Sequence, residues 1–299
     1  LQIIDTRILP FVDAGKDSLL NCNQTTIKLQ ANFDPKDSVI FLWSTPTGNI
    51  LSGGNTPSPV VDQKGWYFVK VSNPMNGCEN IDSVFVDENK IKPQVVLGPD
   101  LLFSCKDSII SIDASSSSTG SNLRFNWTTP DGNIQSGNGS PKINASAPGI
   151  YKLTIFNVDN GCSDSASIRL NPDLNKPVIA IGAADTLTCK KTSINLSASA
   201  NSSSGNPLNV LWTGPSGGNI TNPSTLNPTV RIPGQYVLIV TDATNGCSSQ
   251  AIVEVSVDTL SPIANAGNDA VWNCATTSLN LSGVATGNSS QYSFQWTTN

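Results

Sequence analysis

Gly149-Ile-Tyr-Lys-Leu-Thr-Ile-Phe-Asn-Val-Asp-Asn-Gly-Cys162 is the stretch on which the fold turns. Tyr151, Leu153 and Ile155 alternate with Lys152 and Thr154, the period of two that marks a strand with one buried face. Asn160-Gly161 then predicts a tight hairpin turn, and Cys162 starts the strand that follows. The same pattern stands at residues 65–78 and 234–247, with Tyr67, Tyr151 and Tyr236 preceding Cys78, Cys162 and Cys247 at one constant separation.

Other landmarks keep the same period. The tryptophans Trp43, Trp127, Trp212 and Trp296 follow one another at separations of 84, 85 and 84, and Cys22, Cys105, Cys189 and Cys274 at separations of 83, 84 and 85. A long period with fixed landmarks means an array of similar domains, not one enzyme with one site. Three complete units of that length follow, each the size of a small β-sandwich. The expected divisions are a terminal strand at 1–9, repeats at 10–92, 93–176 and 177–261, and a truncated repeat at 262–299.

Period-two alternation recurs at matching places in every unit. After the first cysteine come Ile27, Leu29 and Ala31, then Ile110, Ile112 and Ala114, then Ile194, Leu196 and Ala198. Leu123, Phe125 and Trp127 point one way while Arg124, Asn126 and Thr128 point the other. No window shows sustained helical periodicity. The fold class is all-β, a tandem array of sandwiches of about seven strands. Trp43, Trp127, Trp212 and Trp296 are the expected core anchors, and Trp272 is expected in the core as well, because Leu20, Phe103 and Leu187 hold its place elsewhere.

Composition excludes several function classes. Charged residues make up 13 % of the chain, about half the usual share near 25 %. Net charge is −5 and the pI about 4.7, whereas nucleic-acid binding needs a basic stripe. The chain has no histidine, which removes His-based triads, His general bases and mixed Cys/His zinc sites. No apolar run is long enough to span a membrane.

Seven cysteines sort by order into Cys22 with Cys78, Cys105 with Cys162, and Cys189 with Cys247, at separations of 56, 57 and 58. Cys274 takes the first position of the fourth unit and is expected to be unpaired by truncation. Zinc sites want cysteines two to four apart, so disulfides in an oxidising compartment are the better reading. Each bond would tie the end of a repeat's first strand to the start of its last and reinforce it mechanically. Pro10, Pro93, Pro177 and Pro262 stiffen short linkers, which predicts a semi-rigid rod. Leu1-Gln-Ile-Ile-Asp5 matches Val84-Phe-Val-Asp87 and Val255-Ser-Val-Asp258, so it reads as the end of a preceding unit in a longer array.

Stretches such as Trp127-Thr-Thr-Pro-Asp-Gly-Asn-Ile134, Gly234-Gln-Tyr-Val-Leu-Ile-Val-Thr-Asp242 and Asn245-Gly-Cys247 resemble Ig-like/PKD-like repeats. Such repeats occur in very large surface proteins of gliding, type IX-secreting bacteria. The resemblance covers essentially the whole chain and is specific for the repeat type. It implies an exported, surface-attached or fibrous protein with a role in adhesion or motility.

Three sets of residues are candidate sites. Asp87, Asp100, Asp173, Asp185, Asp258 and Asp269 recur near the junctions, where hard oxygen ligands would suit Ca2+; the plainer reading is turn-capping. Asp-Ser/Thr-aliphatic tripeptides place Ser18, Ser38, Ser83, Ser108, Ser165, Thr186 and Thr259 in a pattern similar to the O-glycosylation signal of the same bacterial group. Leu42, Trp66, Phe68 and Phe85 in repeat 1, and Leu211, Val237 and Ile239 in repeat 3, fall on an outward sheet face where repeat 2 has Asn126, Lys152, Thr154 and Arg169. A contiguous apolar patch of that kind marks a contact surface, unless a loop of its own domain covers it.

The expected function is a non-catalytic structural or adhesive rod of the cell surface or an extracellular fibre, needing no cofactor. Its partners would be copies of itself, other surface or matrix components, or surface glycans, and not nucleic acid. The alternative is a carbohydrate-binding or spacer module of a secreted hydrolase, with Trp66 and Phe68 facing a sugar.

Overall fold

The alternating stretches form the long strands of the molecule. The computed structural model describes residues 7–34, 39–217, 220–287 and 292–298. Residues 1–6, which carry most of the expected terminal strand, and Ser38 lie outside them.

Repeat 1 holds β1 (Phe11–Asp13), β2 (Ser18–Asn21), β3 (Ile27–Lys28), β4 (Asn32–Asp34), β5 (Ile40–Ser44), β6 (Ile50–Ser52), β7 (Val60–Val61), β8 (Gly65–Asn73) and β9 (Cys78–Asn89). Repeat 2 holds β10 (Leu101–Ser104), β11 (Ile110–Asp113), β12 (Leu123–Thr128), β13 (Ile134–Ser136), β14 (Lys142–Ala145), β15 (Gly149–Asn157) and β16 (Ser163–Asp173). Repeat 3 holds β17 (Val178–Ile181), β18 (Leu187–Thr188), β19 (Ile194–Asn195), β20 (Ala198–Asn201), β21 (Leu208–Thr213), β22 (Thr229–Val230), β23 (Gly234–Asp242), β24 (Ser248–Val255) and β25 (Val257–Asp258). The fourth unit has β26 (Ile263–Asn265) and β27 (Val284–Thr286).

Each of the first three repeats is an all-β, Ig-like sandwich. In repeat 1 a sheet in the order β2-β9-β8-β5 carries the tryptophan, and β3-β7-β6 forms the opposing layer. Repeat 2 repeats this with β10-β16-β15-β12 and β11-β14-β13. In repeat 3 the tryptophan sheet is β21-β23-β24, flanked by the short pairs β17-β20, β18-β25 and β19-β22. Three separate cores result, each filled by the inward residues of both layers.

Two polar handles fix each core. Trp43, Trp127 and Trp212 are at most 4 % exposed. Their Nε1 groups donate at 3.0 Å to the carbonyls of Thr56, Ser140 and Thr225, each the same distance further along the chain. Tyr67, Tyr151 and Tyr236 donate to the carbonyls of Gln63, Ala147 and Ile232, in the loop just before each tyrosine, at 2.6, 2.6 and 2.9 Å. A buried indole or phenol without such a partner would cost about 1–3 kcal/mol. Burial pushes the Tyr67 and Tyr236 hydroxyls above their ordinary pKa.

The fourth unit departs from expectation. Trp296 is 53 % exposed and Trp272 71 % exposed, so neither is a core residue. The physical reason is local: among its described residues only β26 and β27 pair, and no second layer lies over the tryptophans.

The chain divides into two compact units, Leu1–Phe103 with Asp107–Pro172, and Ser104–Lys106 with Asp173–Asn299. The second unit thus takes in the short segment around Cys105. Among the described residues no helix is long and apolar enough to cross a membrane.

Candidate functional site: the disulfide-braced junction

Strand direction decides where the cysteines lie. β2 runs parallel to β9, with Asn21 opposite Asn89. Cys22 therefore sits beside the far end of the last strand, while Cys78 starts that strand, the whole length of β9 away. At about 3.3 Å per residue the two are roughly 36 Å apart, and a disulfide needs Cα atoms within about 7 Å. The expected Cys22–Cys78 pairing, and with it Cys105–Cys162 and Cys189–Cys247, is overturned. A bond from the end of a first strand to the start of a last would need the two to run antiparallel, and here they run parallel.

The bonds run instead from one repeat to the next. Cys22 is joined to Cys162, with a Cα–Cα distance of 5.0 Å. Cys105 is joined to Cys247, again with Cα atoms 5.0 Å apart. In both, the first-position cysteine of one repeat meets the Asn-Gly-Cys turn of its successor. Cys78, Cys189 and Cys274 are free thiols.

The Asn-Gly-Cys turn is built to receive the preceding repeat. It is wider than a two-residue hairpin: Gly161 N donates to Asn157 O at 2.8 Å and Gly246 N to Asp242 O at 2.9 Å. Only the glycines take positive φ, +71° at Gly161 and +75° at Gly246. The asparagine side chain is left for another task. Asn160 Oδ1 accepts from Cys162 N at 3.0 Å, while Asn160 Nδ2 donates to Asn89 Oδ1 at 3.0 Å and to Ile91 O at 2.9 Å. Asn245 does the same, accepting from Cys247 N at 2.9 Å and donating to Asp173 Oδ1 and Asn175 O at 3.0 Å. Asn160 and Asn245 are each 1 % exposed. Each grips a carbonyl just before the linker proline, Ile91 before Pro93 and Asn175 before Pro177.

Further contacts close the joint. Cys22 N donates to Asn160 O at 2.9 Å, and Lys106 Nζ to Ala243 O at 2.8 Å. A Cβ added at Gly161 would collide with the Asn23 side chain, and one at Gly246 with that of Lys106, in each case the residue after the bonded cysteine. Glycine is thus required twice over, for its φ and for the closeness of the neighbouring repeat.

Asp242 shapes the turn in repeat 3. It is 1 % exposed and accepts from Ser202 Oγ at 2.8 Å, Thr244 N at 2.9 Å, Asn206 Nδ2 at 3.1 Å and Asn245 N at 3.2 Å. Burial pushes its carboxyl up, but these four donors outweigh that and leave it below the ordinary value. Asn73 and Asn157 hold the matching positions.

The acidic residues proposed as metal ligands serve other bonds. Asp87 pairs with Lys64 at 2.6 Å, and Asp185 with Lys191 at 2.5 Å. Asp100 accepts from Arg169 N at 3.0 Å, as Asp17 accepts from Phe85 N at 2.9 Å, each tying the chain before a first strand to the last strand. Asp173 accepts from Asn245, and Asp258 from Leu260 N at 3.3 Å, while Asp269 is exposed. Among the described residues no three His, Cys, Asp or Glu side chains gather where they would hold a metal ion.

Of the hydroxyls in the Asp-Ser/Thr pattern, Ser108, Ser165, Thr186 and Thr259 are exposed, and Ser18 and Ser83 are half-buried in β2 and β9. Apolar residues on the outer face of the tryptophan sheet vary in exposure. Leu42, Trp66 and Phe68 are 50, 48 and 36 % exposed, and Trp66 packs on Phe85 at 5.1 Å between centroids. Leu211 is exposed, Val237 and Ile239 are half-buried, and Ile252 opposite Val237 adds to that face.

No family model and no curated protein matches this sequence. Solved structures do match. A three-Ig piece of titin, carrying a Glu-to-Ala change, has 12 % identity and a TM-score of 0.39, over 83 % of this chain and 98 % of its own. A second titin tandem has 10 % identity and a TM-score of 0.32, over 84 % of this chain and 100 % of its own. The eight N-terminal Ig domains of Down syndrome cell adhesion molecule have 12 % identity and a TM-score of 0.35, over 85 % of this chain and 37 % of theirs. Likenesses this distant say nothing of function, and the fold rests on the strand order described above.

Proposed function

We propose that this chain is part of a non-catalytic, load-bearing or adhesive array of a bacterial cell surface or extracellular fibre, in which successive repeats are held by two covalent connections. One connection is the peptide linker, and the other is a disulfide. The observation that supports this reading is the recurrence, at Cys22–Cys162 and at Cys105–Cys247, of the same cysteine pair around the same asparagine clamp. A binding site needs to be built once. A brace is needed at every joint.

The bonds limit how far the chain can be drawn out. Between positions 22 and 247 the unbraced chain has an extended span of about 760 Å. With both bonds intact, the shortest covalent route between them runs only through the segment from Cys105 to Cys162, about 190 Å. Single-molecule stretching between handles at these two positions should show extension capped near the shorter length, and the longer one after reduction. Equal extensions before and after reduction would refute the brace.

The adhesive part of the proposal concerns the outward face of repeat 1. Leu42, Trp66, Phe68 and Phe85 give that sheet an apolar centre edged by Lys64 and Lys70. Repeat 2 carries Asn126, Lys152, Thr154 and Arg169 at the same places and is proposed to act as a spacer.

A further inference from the structure

The outer face of the tryptophan sheet differs among the three repeats in charge as well as in apolarity. In repeat 1, Leu42, Trp66, Phe68 and Ile81 are 50, 48, 36 and 59 % exposed, and Phe85 is half-buried against Trp66. The strand register sets these side chains in rows: Leu42–Lys70–Ile81, then Ser44–Phe68–Ser83, then Trp66–Phe85. Beyond the last row Lys64 pairs with Asp87 at 2.6 Å, and its Nζ stands 5.7 Å from the Phe85 ring centroid. At the other end Lys70 pairs with Glu79 at 3.1 Å, and Ser72 donates to Glu79 at 2.9 Å. Counted from the repeat tyrosine and cysteine, the places of Lys64 and Asp87 hold Pro148 and Asn171 in repeat 2, and Pro233 and Ser256 in repeat 3. Of the three, repeat 1 alone sets an aromatic pair beside a charged pair.

An apolar centre flanked by one cation and one anion side by side is complementary to itself. A two-fold axis along the strands, between β8 and β9, brings each row of one copy onto the same row of another with the strands exchanged. Trp66 of each copy then faces Phe85 of the other, and Lys64 of each faces Asp87 of the other. Four charges alternate in sign around the axis, and in such a network surface ion pairs gain weight. Running the strands of the two copies antiparallel would instead set Asp87 against Glu79 and Lys64 over Ser72. Like charges directly opposed disfavour that arrangement. A sugar suits the face less well. Its hydroxyls need free donors and acceptors beside the aromatic rings, whereas Lys64 and Asp87 already satisfy each other.

We propose that the outer face of repeat 1 docks on the same face of a second copy of this chain, parallel and face to face, with Trp66 against Phe85 and Lys64 against Asp87 across the two-fold axis. The proposal rests on the adhesive reading of this face and gives it a partner and an orientation. Packed sheets keep their strands within about 30° of each other, so the two repeats lie side by side and run the same way. With strands about 4.8 Å apart and about 3.4 Å per residue, four strands of nine residues cover roughly 600 Å2, under the 800 Å2 or so per partner of a standard stable interface. The contact is therefore weak and reversible, with a dissociation constant on the order of 100 µM.

The test is sedimentation equilibrium of the intact chain, its free thiols first blocked with iodoacetamide so that no new disulfide forms. A reversible monomer–dimer equilibrium is expected. Lys64→Glu and Asp87→Lys should each weaken it roughly tenfold, because each sets like charges across the axis twice per dimer. Mixed in equal amounts, the two variants should form a heterodimer at wild-type strength, since each supplies the charge the other lacks. Circular-dichroism melts check that both variants are folded. A stronger dimer from Asp87→Lys alone would mark the antiparallel arrangement, with residue 87 facing Glu79, and would overturn the proposal. So would variants that do not recover on mixing, or a chain that stays monomeric up to about 1 mM. A monomer that is retarded in gels containing hydroxyethylcellulose would give the face to glycans instead. Monomer with Cys22–Cys162 and Cys105–Cys247 intact would sink this inference alone. Dimer without those two bonds would sink the braced array and leave this contact standing.

Discussion

Asp242 places a carboxylate where the other two repeats use Asn73 and Asn157, and that one difference makes the third turn sensitive to acid. Its pKa is lowered in the folded protein, so the stabilisation it gives is complete above its unfolded value near 3.9 and is lost as pH falls through the lower folded value. Unfolding of repeat 3 should therefore become easier as pH falls below about 4, and Asp242→Asn should flatten that dependence. Denaturant melts of both proteins across this range check it; parallel curves would assign the acid loss to other carboxylates. Tyr151→Phe is a second expectation. It strands Ala147 O and Asn133 N, which lie 2.6 and 2.9 Å from the hydroxyl, and should cost about 1–3 kcal/mol in a denaturant melt. The tyrosine and tryptophan positions were readable in the sequence because a large ring in an alternating strand has nowhere to go but the core. Trp296 and Trp272 fit that pattern and are still exposed, since a core position requires a second layer to be formed over it.

The pairing of β2 with β9 shows what alternation leaves open. Period-two spacing says which face of a strand is buried and nothing about its direction, and a parallel first strand reverses which ends meet. Constant separations of 56 to 58 favoured pairing within repeats, yet the separations of 140 and 142 across repeats are just as constant. A clue was present in the Asn-Gly-Cys turns. If the asparagine served a two-residue hairpin it would need positive φ, and Asn76, Asn160 and Asn245 do not have it. Their side chains hold the preceding linker instead. Asn160→Ala should then weaken the joint of repeats 1 and 2 by about 2–3 kcal/mol, through the loss of two donated bonds from a buried amide. Hydrogen exchange at Cys22 N and at the linker amides would rise, while exchange in the core of β15 would stay as it was; protection lost throughout repeat 2 would mean the residue serves the domain and not the joint. On the open face, Trp66→Ser with Phe68→Ser should cost about 1–2 kcal/mol, since both rings are partly covered and Trp66 packs on Phe85, should leave the repeat folded, and should abolish any concentration-dependent self-association seen by sedimentation. Unchanged self-association would clear that face of the adhesive role.

Two interleaved loops tie the three repeats together, one closed by Cys22–Cys162 and the other by Cys105–Cys247, with residues 105–162 belonging to both. By the chain-entropy relation a loop of this length stabilises by about 5 kcal/mol, whichever way the repeats are arranged. The distinctive consequence is topological. If bonds closed within repeats, cutting the peptide linker would free the repeats from each other. Because they close across repeats, a cut linker leaves the pieces joined. A site for a specific protease inserted after Lys92, beyond the carbonyl of Ile91 that Asn160 holds, should be cleaved to yield one species on a non-reducing gel and two after reduction. The same insertion after Lys176 tests the second brace, through Cys105–Cys247. Cys22→Ser and Cys105→Ser should each convert the matching cut into immediate separation while leaving the other unaffected. Two fragments without reductant would show that the linker alone carries the load between repeats, and the case for a covalently braced array would fall with it.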